Sequence, residues 1–264
     1  MSDQLIKPES LLKLSVSKTK TFIDCQKNYK FTYIDKFPRK TWDFHLFGTF
    51  CHNVLELFHL EYLNGSKEEY KAVMSKAFKT SVNEFKNQME PKAIEECKVI
   101  LGNYLKTIYK NGMPNVTGVE KRFELPIENT VLLNGAIDRI QIDPDGVLHI
   151  ADYKSTKDKK YLVGDYFQLL TYCYVMLNEQ PDLKKIRASY IMLRHNFEYL
   201  TEEFDAPKIL AIKNKYMEYA KKIMSETEYA ANPSFLCKFC SHLERCAEGS
   251  SRVKGAVFVG ETNW

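Results

Sequence analysis

Residues 135–155 read GAIDRIQIDPDGVLHIADYKS. Two apolar, alternating runs flank Asp143-Pro144-Asp145-Gly146, whose turn chemistry makes the whole stretch a β-hairpin. Each run carries an acid: Asp138 in the first, Asp152 in the second, with Lys154 two places further on. Strand ends often carry charge, so an Asp–Lys pair two residues apart also fits a strand edge that faces water. The rest of the chain has to decide between a wet edge and a built site.

Outward from the hairpin, the alternation begins at Val116 and runs to about Tyr153, through VTGVEKRFELPI, TVLLNGAIDRIQI and VLHIADY. This predicts a three-strand meander. A helix follows over roughly Asp165 to Leu177, then two strand-like runs, IRASYIMLRH and FEYLTEEF, and a last helix over about Pro207 to Glu228. On the N-terminal side, Ser17 is an N-cap for KTKTFIDCQKNYKFTYI at helical spacing. A long amphipathic stretch runs from Trp42 to Leu63 and stops at Asn64-Gly65. Ser66-Lys67-Glu68-Glu69 matches a capping box opening a helix to about Gln88, and Pro91 starts another that ends near Asn111-Gly112. The order predicts an α/β or α+β chain, a mixed central sheet with helices packed on it. Without an internal repeat, a long linker or a low-complexity tract, residues 1–264 read as a single domain.

Hydrophobic residues make up 44% of the 264 and aromatics 13%, enough for a sizeable core and against global disorder. No uninterrupted apolar stretch reaches about 18 residues, and MSDQLIKPES lacks the charged-then-apolar pattern of an export signal. A soluble, cytoplasmic protein with no membrane partner is expected. Net charge is +4, but residues 1–40 hold nine Lys and Arg against four acids, a local balance of +5. Lys157, Lys159 and Lys160 follow Lys154 as a second basic cluster. A basic rim beside a carboxylate site suits a polyanion such as nucleic acid, and a Lys-rich surface is also common in soluble proteins.

In a strand, residues two apart share a face, so Asp152 and Lys154 project together. Asp138, on the paired strand, reaches the same end of the sheet. Carboxylates brought together repel one another unless a cation sits between them, and Mg²⁺ and Mn²⁺ take oxygen ligands. The stretch FGTFCHNVLELFH sets His52 and Glu56 four apart on one helical face. An imidazole ligand there would favour Mn²⁺ over Mg²⁺, although a histidine in an aromatic-rich helix is more often packed than ligating. Gln168 and Tyr172 share the same one-turn spacing, where a core tyrosine is the plainer reading.

Seven cysteines, an odd number, argue against a disulfide framework. Three crowd into CKFCSHLERC: Cys237, Cys240 and Cys246. Such spacing suits a metal, with His242 or Cys25 as a fourth ligand, and leaves zinc and an iron–sulfur cluster both open. Cys51, Cys97 and Cys173 lie in amphipathic helical stretches and read as ordinary buried thiols.

Taken in order, GTFCH, GAID, DYK, QLLTY and the cysteine tail resemble the RecB-type exonucleases of the PD-(D/E)XK nuclease superfamily. The resemblance runs from Ser17 to Cys246 and is greatest to the iron–sulfur branch, which includes the CRISPR-associated RecB-like exonucleases and the AddB nuclease domain. It implies that His52, Asp138 and Asp152 hold Mn²⁺ or Mg²⁺. Asp138, Asp152, Lys154, Gln168 and Tyr172 would form the catalytic set. Glu120, in VEKRFELP, falls where relatives often carry an acid on the first strand, and Glu56 is a further candidate. Cys25, Cys237, Cys240 and Cys246 would bind a [4Fe–4S] cluster, through segments around 17–35 and 231–248. Gln26 stands where relatives often have proline after the first cysteine.

The resemblance further implies a metal-dependent DNA exonuclease acting on single-stranded ends, in repair, recombination, or phage or CRISPR DNA processing. Lys157, Lys159 and Lys160 would track phosphates, and Phe235 and Phe239 would stack on bases or pack in the core. No GxxxxGK[ST] motif is present, so no fused helicase is expected, and a helicase or integrase partner is. Two rival readings are a CRISPR adaptation factor acting through an integrase and a catalytically idle nucleic-acid-binding module.

Overall fold

The computed structural model describes residues 11–260. In chain order the elements are β1 (Leu12–Leu14), α1 (Val16–Asp24), α2 (Gln26–Tyr29), α3 (Asp43–Leu63), α4 (Tyr70–Phe85) and α5 (Pro91–Asn111). The meander follows as β2 (Val116–Ile127), β3 (Val131–Ile142) and β4 (Leu148–Lys154), then α6 (Phe167–Glu179), β5 (Lys185–Met192) and β6 (Glu198–Asp205). The chain continues through α7 (Ala206–Leu210), α8 (Ile212–Ser225) and α9 (Ala247–Arg252).

Among the described residues the strands form one mixed sheet in the order β1-β3-β4-β5-β6, with β2 also paired to β3. The mixed sheet flanked by helices is the architecture expected from the sequence. The hairpin closes where Asp143 N–H meets the Val147 carbonyl at 3.0 Å, and Gly146 takes φ +79°, a left-handed conformation that glycine adopts freely. β3 and β4 are antiparallel with Arg139 opposite Ala151, which puts Asp138 level with Asp152. β4 and β5 are parallel, with Asp152 beside Tyr190, so α6 has to carry the chain back across the sheet. β4 is buried on both faces up to Tyr153, as a central strand must be.

The chain divides into two compact units. One comprises Trp42–Glu124 and Gly135–Lys213. Its core is built on α3, where Phe47, Phe50, Cys51, Val54, Leu55 and Phe58 recur at helical spacing and are all buried. Each fully buried Leu or Phe contributes about 1.5–3 kcal/mol. The other unit comprises the chain up to Thr41, Leu125–Asn134, and the chain from Asn214 onward. There β1 runs parallel to the start of β3, and the Phe22 ring meets Tyr29 edge-on at 5.3 Å.

Several boundaries differ from the sequence expectation. The first helix starts two residues early, because Ser15 rather than Ser17 receives the Lys18 N–H. The run predicted as one helix through Cys25 breaks there, at φ −164° and ψ 110°, and resumes as α2 with a π-helical turn over Lys30–Ile34. α4 begins at Tyr70: Glu69 caps it by accepting the Lys71 and Ala72 amides, while Ser66 only closes a turn to Glu68 N–H. The last predicted helix is two, split at Ala211. β1 has no counterpart in the sequence expectation, since three residues carry no period. No helix among the described residues is long and apolar enough to cross a membrane.

Candidate active site

Three elements of the Trp42–Lys213 unit converge at one end of the meander. α3 brings His52, β2 brings Glu120 and β3 brings Asp138, with ligand atoms all within 4.8 Å of one another. Each is placed by a distinct local device. One turn before His52, a Cβ on Gly48 would stand 3.1 Å from Ser155 Oγ, so a glycine lets α3 approach the end of β4 closely. Glu120 sits in the left-handed region at φ +43°, strained for a non-glycine residue inside a strand. Asp138 is held by the main chain of β4: the Tyr153 N–H donates to its Oδ2 at 2.8 Å. The Tyr153 carbonyl meets His52 Nε2 at 3.0 Å, and His52 Nδ1 lies 3.3 Å from Asp138 Oδ2. The two backbone groups of Tyr153 thus grip both the histidine and the aspartate.

The electrostatics follow from crowding acids in a dry place. Burial, then the charge of Asp152, pushes the Asp138 carboxyl well above the usual carboxylate range. Burial and the neighbouring Asp138 push Glu120 up to about 7. Glu56, one turn along α3, adds a further negative charge at Glu120. Burial pushes His52 down, toward the neutral imidazole that can ligate. A divalent cation would relieve all of these strains together, and two carboxylates with a neutral imidazole are donors that Mn²⁺ and Mg²⁺ accept. The residues therefore fit the implied ion.

Asp152, Lys154, Gln168 and Tyr172 form a second set beside the trio. Lys154 Nζ is 2.6 Å from Asp152 Oδ2 and donates to Gln168 Oε1 at 2.8 Å. Gln168 Nε2 donates to Asp152 Oδ1 at 2.7 Å and to Tyr172 hydroxyl oxygen at 2.8 Å. With all these groups engaged, the amide has one satisfactory orientation. Gln168 and Tyr172 lie one turn apart on α6, which lets the tyrosine hydroxyl meet the amide that contacts β4. The Tyr172 ring faces Phe123 at 6.1 Å, and a Cβ on Gly135 would stand 2.8 Å from the tip of that phenylalanine. Asp152 is thus turned to the lysine, while Glu120 stands with His52 and Asp138. Of the basic loop, Lys159 pairs with Glu198 and Lys160 with Asp158, and Lys157 is exposed.

Behind this site lies a feature that sequence reading does not reach. Arg139 is 0% exposed. Its guanidinium donates to the hydroxyls of Tyr104 and Tyr153, each at 3.2 Å, and to Tyr199. Tyr104 in turn meets His59 Nε2 at 2.7 Å. A signal exists, since Arg139 follows Asp138 in an apolar strand, yet the three tyrosines that receive it come from distant segments.

In the other unit, Cys25, Cys237, Cys240 and Cys246 line one cavity. Main-chain amides point at three of the sulfurs: Asn232 N–H to Cys25 Sγ at 3.5 Å, Ser234 to Cys237 at 3.3 Å and Gly249 to Cys246 at 3.3 Å. His242 also lines the cavity, with its Nε2 3.1 Å from Thr32 Oγ1. Cys51, Cys97 and Cys173 are fully buried in helices. Phe235 and Phe239 are largely exposed rather than core residues.

The chain is 28% identical to a subunit of the ATP-dependent helicase/deoxyribonuclease of Streptococcus agalactiae serotype Ia, over 253 residues. That match takes in 83% of this chain but only 23% of the relative's length. The equivalent protein of Streptococcus mutans is 30% identical over 136 residues, 47% of this chain and 12% of the relative. A solved structure of a candidate exonuclease from Eubacterium rectale superposes with a TM-score of 0.53 at 13% identity, covering 92% of each chain, a likeness of fold. A family profile described as the PD-(D/E)XK nuclease superfamily matches residues 13–247. The hairpin acids, the lysine beside them and this match over most of the sequence make the chain a member of the PD-(D/E)XK nuclease superfamily.

Proposed function

We propose that the chain is a divalent-metal-dependent DNA exonuclease that hydrolyses phosphodiester bonds at single-stranded ends. The observation that carries this reading is the meeting of His52, Glu120 and Asp138, with proton affinities raised on both acids, beside a lysine fixed by Asp152 and Gln168. When bound there, Mn²⁺ or Mg²⁺ supplies Lewis acidity toward a phosphoryl oxygen and makes a coordinated water more acidic. His52, Glu120 and Asp138 hold the ion, and Asp152 adds charge alongside. Lys154, its ammonium oriented from two sides, orients the attacking water and steadies negative charge on the phosphate. Gln168 keeps that lysine in register, and Tyr172 backs Gln168. Lys157, Lys159 and Lys160 lie on the loop between Lys154 and Gln168 and guide the strand by its phosphates. Lys159 and Lys160 exchange their carboxylate partners for phosphate to do so.

The name of the streptococcal relatives supports DNA over RNA and favours a helicase over an integrase as the partner. We assign a [4Fe–4S] cluster to the four cysteines. The four cysteines line one cavity, and four thiolates are the ligand set that such a cluster takes. Main-chain amides donate to three of the four sulfurs, and Cys25 stands with the other three in the one cavity, which supports the four-cysteine set.

The test is a digestion series on end-labelled single- and double-stranded DNA with Mn²⁺, Mg²⁺ or EDTA. Wild type should cleave only with metal and prefer single strands. Lys154→Ala should lower the rate by about 10³-fold or more while DNA binding persists. Equal cleavage by both proteins would remove the mechanism, and binding without metal-dependent cleavage in wild type would leave an idle binding module.

A further inference from the structure

α3 packs through rings and aliphatic side chains, Phe47, Phe50, Val54, Leu55 and Phe58. Such a face resists separation from the sheet but resists sliding or rotation weakly, because apolar contacts have little directional preference. Yet His52 has to meet Asp138 to within hydrogen-bonding distance. Beside the Ser81–Asn53 bond to α4, two polar contacts of α3 bear on its register, seven residues and therefore about two turns apart. One is His52 Nε2 at the Tyr153 carbonyl, and the other is His59 Nε2 at the Tyr104 hydroxyl. Both lead to the same guanidinium: Arg139 donates to the hydroxyl of Tyr104 and to that of Tyr153. Arginine has only donors, so the Tyr104 oxygen accepts and its own proton goes to His59. Arg139 joins the phenols of Tyr104 and Tyr153, and His52 meets the main chain of that same Tyr153. Among the described residues no carboxylate pairs with Arg139; its Nη1 and Nη2 are met by tyrosine hydroxyls instead, and its Nε is buried without a partner. Tyr104 is itself fixed by the Phe197 ring stacked on it at 4.6 Å.

We propose that Arg139 is a positioning residue: with Tyr104 and Tyr153 it pins the register of α3, and through it the place of His52 in the metal centre. Buried ionic groups of this kind cost stability and are retained where they specify one packing over its neighbours. The inference rests on the metal-centre reading above and adds a role that no side chain touching the ion performs.

The experiment is a Mn²⁺ titration of the purified full chain, read by the electron paramagnetic resonance of the free ion, so that no cleavage is needed. Arg139→Met should weaken Mn²⁺ binding by about 10- to 100-fold with the circular dichroism spectrum retained. Arg139→Lys should recover part of the loss. In a His52→Ala background Arg139→Met should change binding little further, because its effect runs through that histidine. Tyr104→Phe, which removes the hydroxyl that joins Arg139 to His59, should weaken binding several-fold, and it decides the matter if Arg139→Met does not fold. An unchanged isotherm in either folded variant overturns the proposal. So does an equal loss with and without His52, which would mark a merely structural residue. Wild type that binds no Mn²⁺, or binds it equally after His52→Ala, overturns the metal-centre reading and this inference with it; normal wild-type binding with no effect of Arg139 overturns the pin alone.

Discussion

The acidic centre and the thiol pocket solve one problem, gathering ligands from distant segments, by opposite means. The acids ride on regular elements, α3, β2, β3 and β4, and are aimed by a strained backbone at Glu120, a glycine at Gly48 and the main chain of Tyr153. The thiols sit on a break between α1 and α2 and on irregular turns after α8, and are aimed by the amides of the turns themselves. Regular elements keep their geometry whether or not an ion is bound, and the penalty appears as raised proton affinity. Irregular turns have little other reason to hold together, so a ligand bound by the thiols would become part of the fold. The first region should therefore respond to change in affinity and rate, the second in stability.

The largest effect should come from the thiol side. Cys237→Ala should bleach the absorbance of the purified protein and destabilise it by about 5 kcal/mol, the chain-entropy value for opening a loop of some two hundred residues. Denaturant unfolding measures this. Cleavage per folded molecule should survive, and a folded Cys237→Ala protein without cleavage would break the division just drawn. Next comes Glu120→Gln, which should weaken Mn²⁺ binding by about 10- to 100-fold in calorimetric titration. Its metal-free form should melt no lower than wild type, since a repelling acid has been removed.

The pH response is smaller. The fold binds protons at Asp138 and Glu120 that the unfolded chain has already released. With EDTA present, the melting temperature should therefore fall as pH rises through the window from about 4.5 to about 7 that Glu120 defines. Saturating Mn²⁺ should flatten the slope, and Glu120→Gln should reduce it; a slope of opposite sign would show that other groups dominate. The smallest expected change is Gly135→Ala. Its new Cβ presses on the tip of Phe123, which can yield, so about 1 kcal/mol of stability and a several-fold loss of cleavage are expected.

The hairpin is the most legible part of the molecule, because turn chemistry and period-two alternation are both local. Its acids are legible for the same reason: charge inside an apolar run is visible without a structure. Glu120 is less so, since the φ of +43° that turns it inward has no signature in VEKRFELP. The break at Cys25 escapes a sequence reading because the residues around it keep helical spacing, and only contacts with Asn232, some two hundred residues away, show why the backbone extends there. Arg139 and its tyrosines lie furthest out of reach, for a polar cluster assembled from α5, β3, β4 and β6 has no footprint in any one window.

One detail bears on how this protein would look under saturation mutagenesis. The groups of Tyr153 that touch Asp138 and His52 are its amide and its carbonyl, which nineteen of the twenty genetic choices supply identically. A screen of side chains would report only the loss of the phenol's contact with Arg139. Proline, or an ester placed at that peptide link by chemical synthesis, would be needed to expose what the main chain contributes.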